Sequence, residues 1–227
     1  MSTDNKRVHN TEAEVGEFVV RSGNYLERNS KTIGIVLLVI LLLVGGFVAY
    51  KYLYAQPREE KASAAIFRAE HYFGVDSFEL ALKGNGAGTM GFLDIIKKYG
   101  STDAGNLAQA YAGISYFKLG DLENALHHLK KYDGNDAMVS PAVTGLIGDC
   151  YVEMDKPEEA VKFFDDAAKK ADNQVLSPIY LKKAGLAFEA KGDTANALER
   201  YRTIKSKYMN SQEAATIDKY IERIRLK

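Results

Sequence analysis

NLAQAYAGISYFKLGDLENALHHL, residues 106–129, recurs twice in altered form. PAVTGLIGDCYVEMDKPEEAVKFF covers residues 141–164, and PIYLKKAGLAFEAKGDTANALERY covers 178–201. Superposed, the three copies align Gly113, Gly148 and Gly185, then Tyr116, Tyr151 and Phe188. They align Ala125, Ala160 and Ala197, then Leu129, Phe164 and Tyr201. The periods are 35 and 37 residues. A unit of that length is a helical hairpin that cannot bury its apolar face alone and stacks on its neighbours. The glycine and alanine are expected where the two helices of one hairpin approach. The aromatic and bulky positions are expected to fill the space between neighbouring hairpins.

Punctuation supports the same register. Ser140-Pro141 and Ser177-Pro178 occupy one repeat position and read as a serine N-cap followed by proline at the first helical residue. Gly120-Asp121 and Gly192-Asp193 read as tight turns with aspartate capping the second helix, and Pro157 starts the second helix of the middle copy. The pattern resembles the tetratricopeptide repeat (TPR) superfamily over residues 106–204. It departs in placing Gln109, Thr144 and Leu181 at the usual tryptophan position and in lacking the proline after the second helix. The fold class expected is all-α, a TPR-type helical-hairpin solenoid.

The flanks are atypical, as solenoid ends are. Residues 57–105 read as an irregular first hairpin, with helices over Arg58–Phe73 and Gly91–Tyr99 and a lengthened connection between them. Residues 211–227 read as a capping helix, with Ala214, Ile217, Tyr220, Ile221 and Ile224 on one stripe.

Upstream, TIGIVLLVILLLVGGFVAY, residues 32–50, is 19 residues without a charge. That length spans a bilayer core. Lys31 and Lys51 bracket it, and Tyr50, Tyr52 and Tyr54 gather where interfacial rings are favoured. No small-x-small cleavage site follows, so the segment reads as a single transmembrane helix, not a removed leader. Arg21, Arg28 and Lys31 precede it and Lys51, Arg58, Lys61 and Arg68 follow, a balance from which charge alone does not decide orientation. Residues 1–12 read as a disordered tail. Over 13–30, Val15, Phe18, Val19, Tyr25 and Leu26 oppose Glu14, Glu17, Arg21 and Arg28, a short amphipathic helix. That helix either lies on a membrane or partner, or simply extends the span.

Composition narrows the chemistry. The 30 basic and 30 acidic residues among 227 leave no net charge, which argues against a nucleic-acid partner. One cysteine, Cys150, excludes an intrachain disulfide and a cysteine-based zinc site, and reads as a small buried hydrophobe. ALKGNGAGTMGF, residues 81–92, contains the letters of a dinucleotide-binding loop at Gly86, Gly88 and Gly91. Helical spacing precedes it where a strand is required, so Gly84, Gly86, Gly88 and Gly91 are expected to let a long loop turn back with positive φ. Adjacent His127 and His128 point to different helix faces and do not form a metal pair. No nucleophile–base set stands out, and neither enzyme activity nor a cofactor is expected.

By resemblance to the superfamily, the first helix of each repeat lines a concave protein-binding groove, with Phe117, Asp149, Val152, Lys182, Leu186 and Glu189 as candidate positions. The whole layout resembles the bacterial YfgM-like family, on the span at 32–50, the stretch GFLDIIKKYGSTDAGNLAQAYAGISYFKLGD (91–121) and the C-terminal cap. That resemblance implies an inner-membrane protein with a cytoplasmic N-terminus and a periplasmic TPR domain. It also implies partners: subunits of the Sec translocon, a membrane-anchored periplasmic chaperone and secreted chains. The alternative of the same class is a scaffold in another envelope machine, for cell division or secretion. An enzyme or nucleotide-dependent switch using the glycine loop is the reading of a different class.

Overall fold

The computed structural model describes residues 29–226. The expected tail (1–12) and the amphipathic helix through residue 28 lie outside the described residues. The chain divides into two compact units, Met1–Pro57 and Arg58–Lys227.

In the first unit, α1 runs Ser30–Tyr50 and passes into a π-helical turn, Lys51–Ala55. The stretch is long and apolar enough to cross a membrane by length and composition, and none of its apolar window is buried. Leu37, Leu41 and Leu43 are each more than half exposed. Tyr50 and Tyr54, one turn apart, stack with ring centroids 5.4 Å apart.

The second unit is helical, with no strand among the described residues. Its elements are α2 (Gln56–Gly74, entering at Arg58), α3 (Phe78–Lys83), α4 (Phe92–Tyr99), α5 (Asp103–Lys118) and α6 (Leu122–Leu129). They continue as α7 (Val139–Glu153), α8 (Pro157–Ala171), α9 (Leu176–Ala190) and α10 (Thr194–Lys207). A 3₁₀ turn, Ala214–Thr216, leads into α11 (Asp218–Arg225). Helices from α4 onward pack in chain order, each against the next, through α10 and α11. The result is three hairpins, α5–α6, α7–α8 and α9–α10.

The aligned glycines explain the hairpins. A Cβ at Gly148 would lie 2.6 Å from the Phe164 ring, and one at Gly185 would lie 2.2 Å from the Tyr201 ring. At Gly113 the same atom would meet the Leu129 side chain at 2.5 Å. The bulky residue therefore seats on the glycine of its own hairpin, sixteen residues earlier in each copy, and also shares a core with the next hairpin, Leu129 with Val143 and Ile147, Phe164 with Tyr180 and Ala184. Between hairpins the close approach is made elsewhere, with the Tyr180 ring of α9 over Gly145 of α7.

The serine–proline caps are corrected. α7 and α9 begin one residue before Ser140 and Ser177, at Val139 and Leu176. Their first amides are held from further back. Asp136 accepts from the N–H groups of Met138, Val139 and Ser140 at 2.5–3.1 Å, and Asn173 Oδ1 accepts from Val175 and Leu176. Ser177 Oγ instead donates to Ala168 O, tying two helices together. Proline in the first turn costs nothing there, because its missing N–H would have no helical acceptor.

Asp121 and Asp193 do cap α6 and α10, each accepting from the N–H three residues on, and Gly120 and Gly192 precede them at φ 80° and 78°. The middle hairpin has the same turn with poorer residues. Asp155 holds φ 56° and Lys156 stands at the N-cap with no side-chain bond. Asp155→Gly should relieve left-handed strain, and Lys156→Asp should supply the missing cap, each raising stability by about 1 kcal/mol. A urea midpoint for the double variant at or below the parent's would contradict this account.

At the N-terminal end, Ala62, Ala65, Ile66 and Ala69 of α2 form a core with Leu82, Phe92, Ile95 and Tyr99. Glu59 supplies a cap across sequence: its carboxylate accepts from the N–H groups of Asp103 and Ala104 at 2.7 and 3.0 Å. A charge at a helix N-terminus is favourable through its free N–H groups and dipole. At the other end, Ile217, Ile221 and Ile224 are buried in a core with Tyr201 and Ile204.

Candidate functional site

A cavity of ≈ 530 Å³ opens along the first helices of all three hairpins. From α5 it takes Leu107, Tyr111 and Ile114, from α7 Val139, Ala142 and Leu146, and from α9 Leu176, Ile179 and Tyr180. On each helix these positions recur every three or four residues, one face of a 3.6-residue helix. Ala142 is exposed and Leu146, Ile179 and Ile114 are half-buried, so the apolar floor is open to solvent.

Only two charged side chains line the cavity, and they neutralise each other. Lys183 Nζ of α9 donates to both oxygens of Asp149 on α7, at 2.8 and 2.7 Å. The pair bridges consecutive hairpins and leaves a floor without net charge. Burial raises the hydroxyls of Tyr180 and Tyr111 above the ordinary tyrosine range, with smaller contributions from Asp149 and Glu70 respectively. Both therefore stay protonated at neutral pH. The site offers a neutral apolar channel edged by phenol groups, suited to an extended or helical polypeptide with few charges.

Of the six sequence candidates, Asp149 lines this cavity. Phe117, Val152 and Leu186 lie three residues beyond Ile114, Asp149 and Lys183, toward the far ends of the same helices. Phe117 packs against the middle core, whereas Val152 and Leu186 are 47% and 39% exposed. Lys182 and Glu189 go elsewhere. Lys182 pairs with Glu213, and Glu189 accepts from the Tyr201 hydroxyl at 2.7 Å and from Arg223 at 2.6 Å. These two hold the C-terminal turn and helix onto the last hairpin. Ile179, Ala142 and Leu146 escaped sequence reading because an alternating small-and-aliphatic stripe looks like core.

The glycine loop is a closed turn. Gly84, Gly86 and Gly88 have the expected positive φ, at 76°, 71° and 100°, whereas Gly91, expected to share it, is at −84°. Gly91 is required by proximity, since its Cβ would lie 2.2 Å from Leu82 O. Asn85 Oδ1 accepts from the Ala87 and Thr89 N–H groups, and Asn85 Nδ2 donates to Tyr72. These amides are thus directed into the loop, and helix α3 precedes it where a phosphate-binding loop has a strand. Phe67, His71, Tyr72 and Thr89 border a shallow depression beside it.

The paired histidines diverge as expected from their spacing. His127 is exposed, while His128 is 9% exposed, with Nδ1 2.8 Å from Gln109 Oε1 and its ring stacked on Tyr116. Cys150 is fully buried, and burial pushes its thiol up to about 11, so it is not a reactive thiolate.

A tetratricopeptide repeat family model matches residues 181–211, which is most of α9 with α10 and the turn after it. No curated protein matches the chain. The chain thus carries a tetratricopeptide repeat within an all-helical fold.

Proposed function

We propose that this protein is a membrane-anchored, non-enzymatic adaptor whose groove across α5, α7 and α9 captures a segment of another protein. The observation that carries the proposal is the solvent-open apolar floor shared by three consecutive first helices, its single ion pair internally neutralised. Tetratricopeptide repeats are in general protein-binding scaffolds, and nothing in the groove requires a cofactor. Ser30–Tyr50 supports anchoring by its length and apolar composition. The resemblance of the whole layout to the YfgM-like family favours the bacterial inner membrane, with the N-terminus cytoplasmic and the repeat domain periplasmic. On that reading the protein is an ancillary Sec translocon subunit that recruits a membrane-anchored chaperone or handles secreted chains. The anchor would hold the groove near emerging polypeptide and raise its effective concentration there. A scaffold in another envelope machine is the second reading, on the same groove.

The test is a mild-detergent pull-down of the full-length chain beside a chain lacking residues 1–54. Translocon subunits are expected with the full-length chain and absent with the truncation. An unrelated envelope complex, or nothing above background, would remove the translocon assignment. Within the full-length chain, Ala142→Glu with Ile179→Glu should reduce partner recovery about tenfold or more, because buried unpaired charge on an apolar floor costs more than 1.4 kcal/mol. Far-UV circular dichroism should stay unchanged, since both positions touch solvent.

A further inference from the structure

The turns that carry the chain from one hairpin to the next share one edge of the second unit. Asn106 and Asp133 exchange hydrogen bonds of 2.6 and 2.9 Å across it, and Lys207 reaches Asp172 at 3.0 Å. The chain enters at this edge, because Arg58 bonds Lys98 O and Glu59 caps α5 there. In the sequence, only Lys51–Pro57 separate Arg58 from the apolar helix α1.

The side chains of this edge are unusual in two respects. Met138 and Val175 stand just before α7 and α9, and Met209 stands at the corresponding place after α10. They are 60%, 64% and 67% exposed, so each hairpin turn presents one large apolar residue to solvent. Among them are the ends of the second helices, which carry lysines in every hairpin. Lys98, Lys131 and Lys169 are exposed and make no ion pair among the described residues. The same edge also carries Asp103, Asp133, Asp136 and Asp172, of which Asp136 is held by three backbone N–H groups and Asp172 by Lys207; the opposite edge carries Asp121, Glu123, Asp155, Glu158 and Asp193 beside Lys118, Lys156 and Lys191. Helix dipoles favour lysine at a C-terminus and carboxylate at an N-terminus. They give no reason for exposed methionine and valine between the lysines. Apolar side chains set among exposed, unpaired lysines match an anionic lipid surface, where hydrocarbon accepts the first and phosphate the second.

We propose that this edge rests on an anionic membrane surface. Val175 and Met209 enter the headgroup layer, with Met138 beside them at the mouth of the groove it also lines, while Lys98, Lys131 and Lys169 meet lipid phosphates. The proposal rests on the membrane-anchor reading above. Its consequence is orientation: the groove is held at a fixed tilt to the bilayer.

The test uses the full-length chain reconstituted in vesicles of phosphatidylcholine, with or without phosphatidylglycerol. In a Cys150→Ala background, an environment-sensitive fluorophore is placed at Met209→Cys or, on the opposite edge, at Glu123→Cys. The probe at 209 is expected to shift blue and to be quenched by headgroup-proximal spin-labelled lipid, several-fold more with phosphatidylglycerol and less at high salt. The probe at 123 is expected to stay unquenched. Each lysine near such a surface contributes roughly fivefold to association, so Lys98→Glu, Lys131→Glu and Lys169→Glu together should abolish the quenching while α1 still floats with the vesicles. A chain that floats but shows equal quenching at 209 and 123, or none, overturns the edge contact and leaves the anchor standing. Protection of 209 only on adding a protein partner overturns it in favour of a protein interface. A chain that does not float overturns the anchor and this proposal together.

Discussion

Gly185→Ala is expected to destabilise the last hairpin by about 1–3 kcal/mol, although alanine is the better helix former. Replacing a mid-helix glycine with alanine favours a helix by up to about 1 kcal/mol. Here the added methyl would sit 2.2 Å from Tyr201 Cε1, a distance at which something must move. The ring has nowhere to go. Tyr201 is fully buried, and its hydroxyl donates to Glu189, which Arg223 also holds. Overpacking of a closed core outweighs the propensity gain. The reciprocal truncation is larger: Tyr201→Ala should cost about 3–5 kcal/mol by opening a cavity, roughly 10 °C in Tm for a unit of this size. The two changes share one contact, so Gly185→Ala with Tyr201→Leu should lose less than the sum of its parts. Thermal melts and urea midpoints of the three variants measure this. A stabilised Gly185→Ala would show that the ring can yield and that the glycine is not required by packing.

The second large effect concerns acid. Burial chiefly, aided by neighbouring His127 and Lys131, depresses His128 from 6.5 to about 4. The folded state therefore binds fewer protons at this ring than the unfolded chain does. The contribution is fully present above pH 6.5 and is lost as pH falls toward 4, amounting to about 3 kcal/mol at most. The penalty is burial and the neighbouring cations, not the immediate partners, since Gln109 Oε1 beside Nδ1 and the Tyr116 ring both suit a cation. Asp136 and Asp193 are held below the usual carboxylate range by hydrogen bonds, Asp136 from the Met138, Val139 and Ser140 N–H groups and Asp193 from Asn196. Their own losses come at lower pH. His128→Gln keeps an amide beside Gln109 and removes the titration. Its urea midpoint should be nearly flat between pH 7 and 5, where the parent's falls. Parallel slopes for the two proteins would assign the acid sensitivity elsewhere.

The hairpins were legible because their cause is local. A glycine and a bulky residue sixteen positions apart, an aspartate after a positive-φ glycine, and an apolar stripe on residues 214–224 are each written along one or two helices. The sequence by itself determined the helical fold, the repeat period, the tight turns at Gly120 and Gly192 and the apolar span. Tertiary structure alone decided the rest, because the remaining choices compare faces that look alike in sequence. Whether a stripe such as Leu107–Tyr111–Ile114 meets a neighbour or lines a cavity depends on how successive hairpins rotate. Whether Glu189 faces a groove or Arg223 depends on where α11 returns, thirty-four residues later. The caps of the first helices show both sides. Asp136 and Asn173 stand two to four residues before the amides they hold on α7 and α9, and Thr102 caps α5 locally, whereas Glu59 reaches α5 only because the folded chain brings it to a helix that begins forty-four residues away.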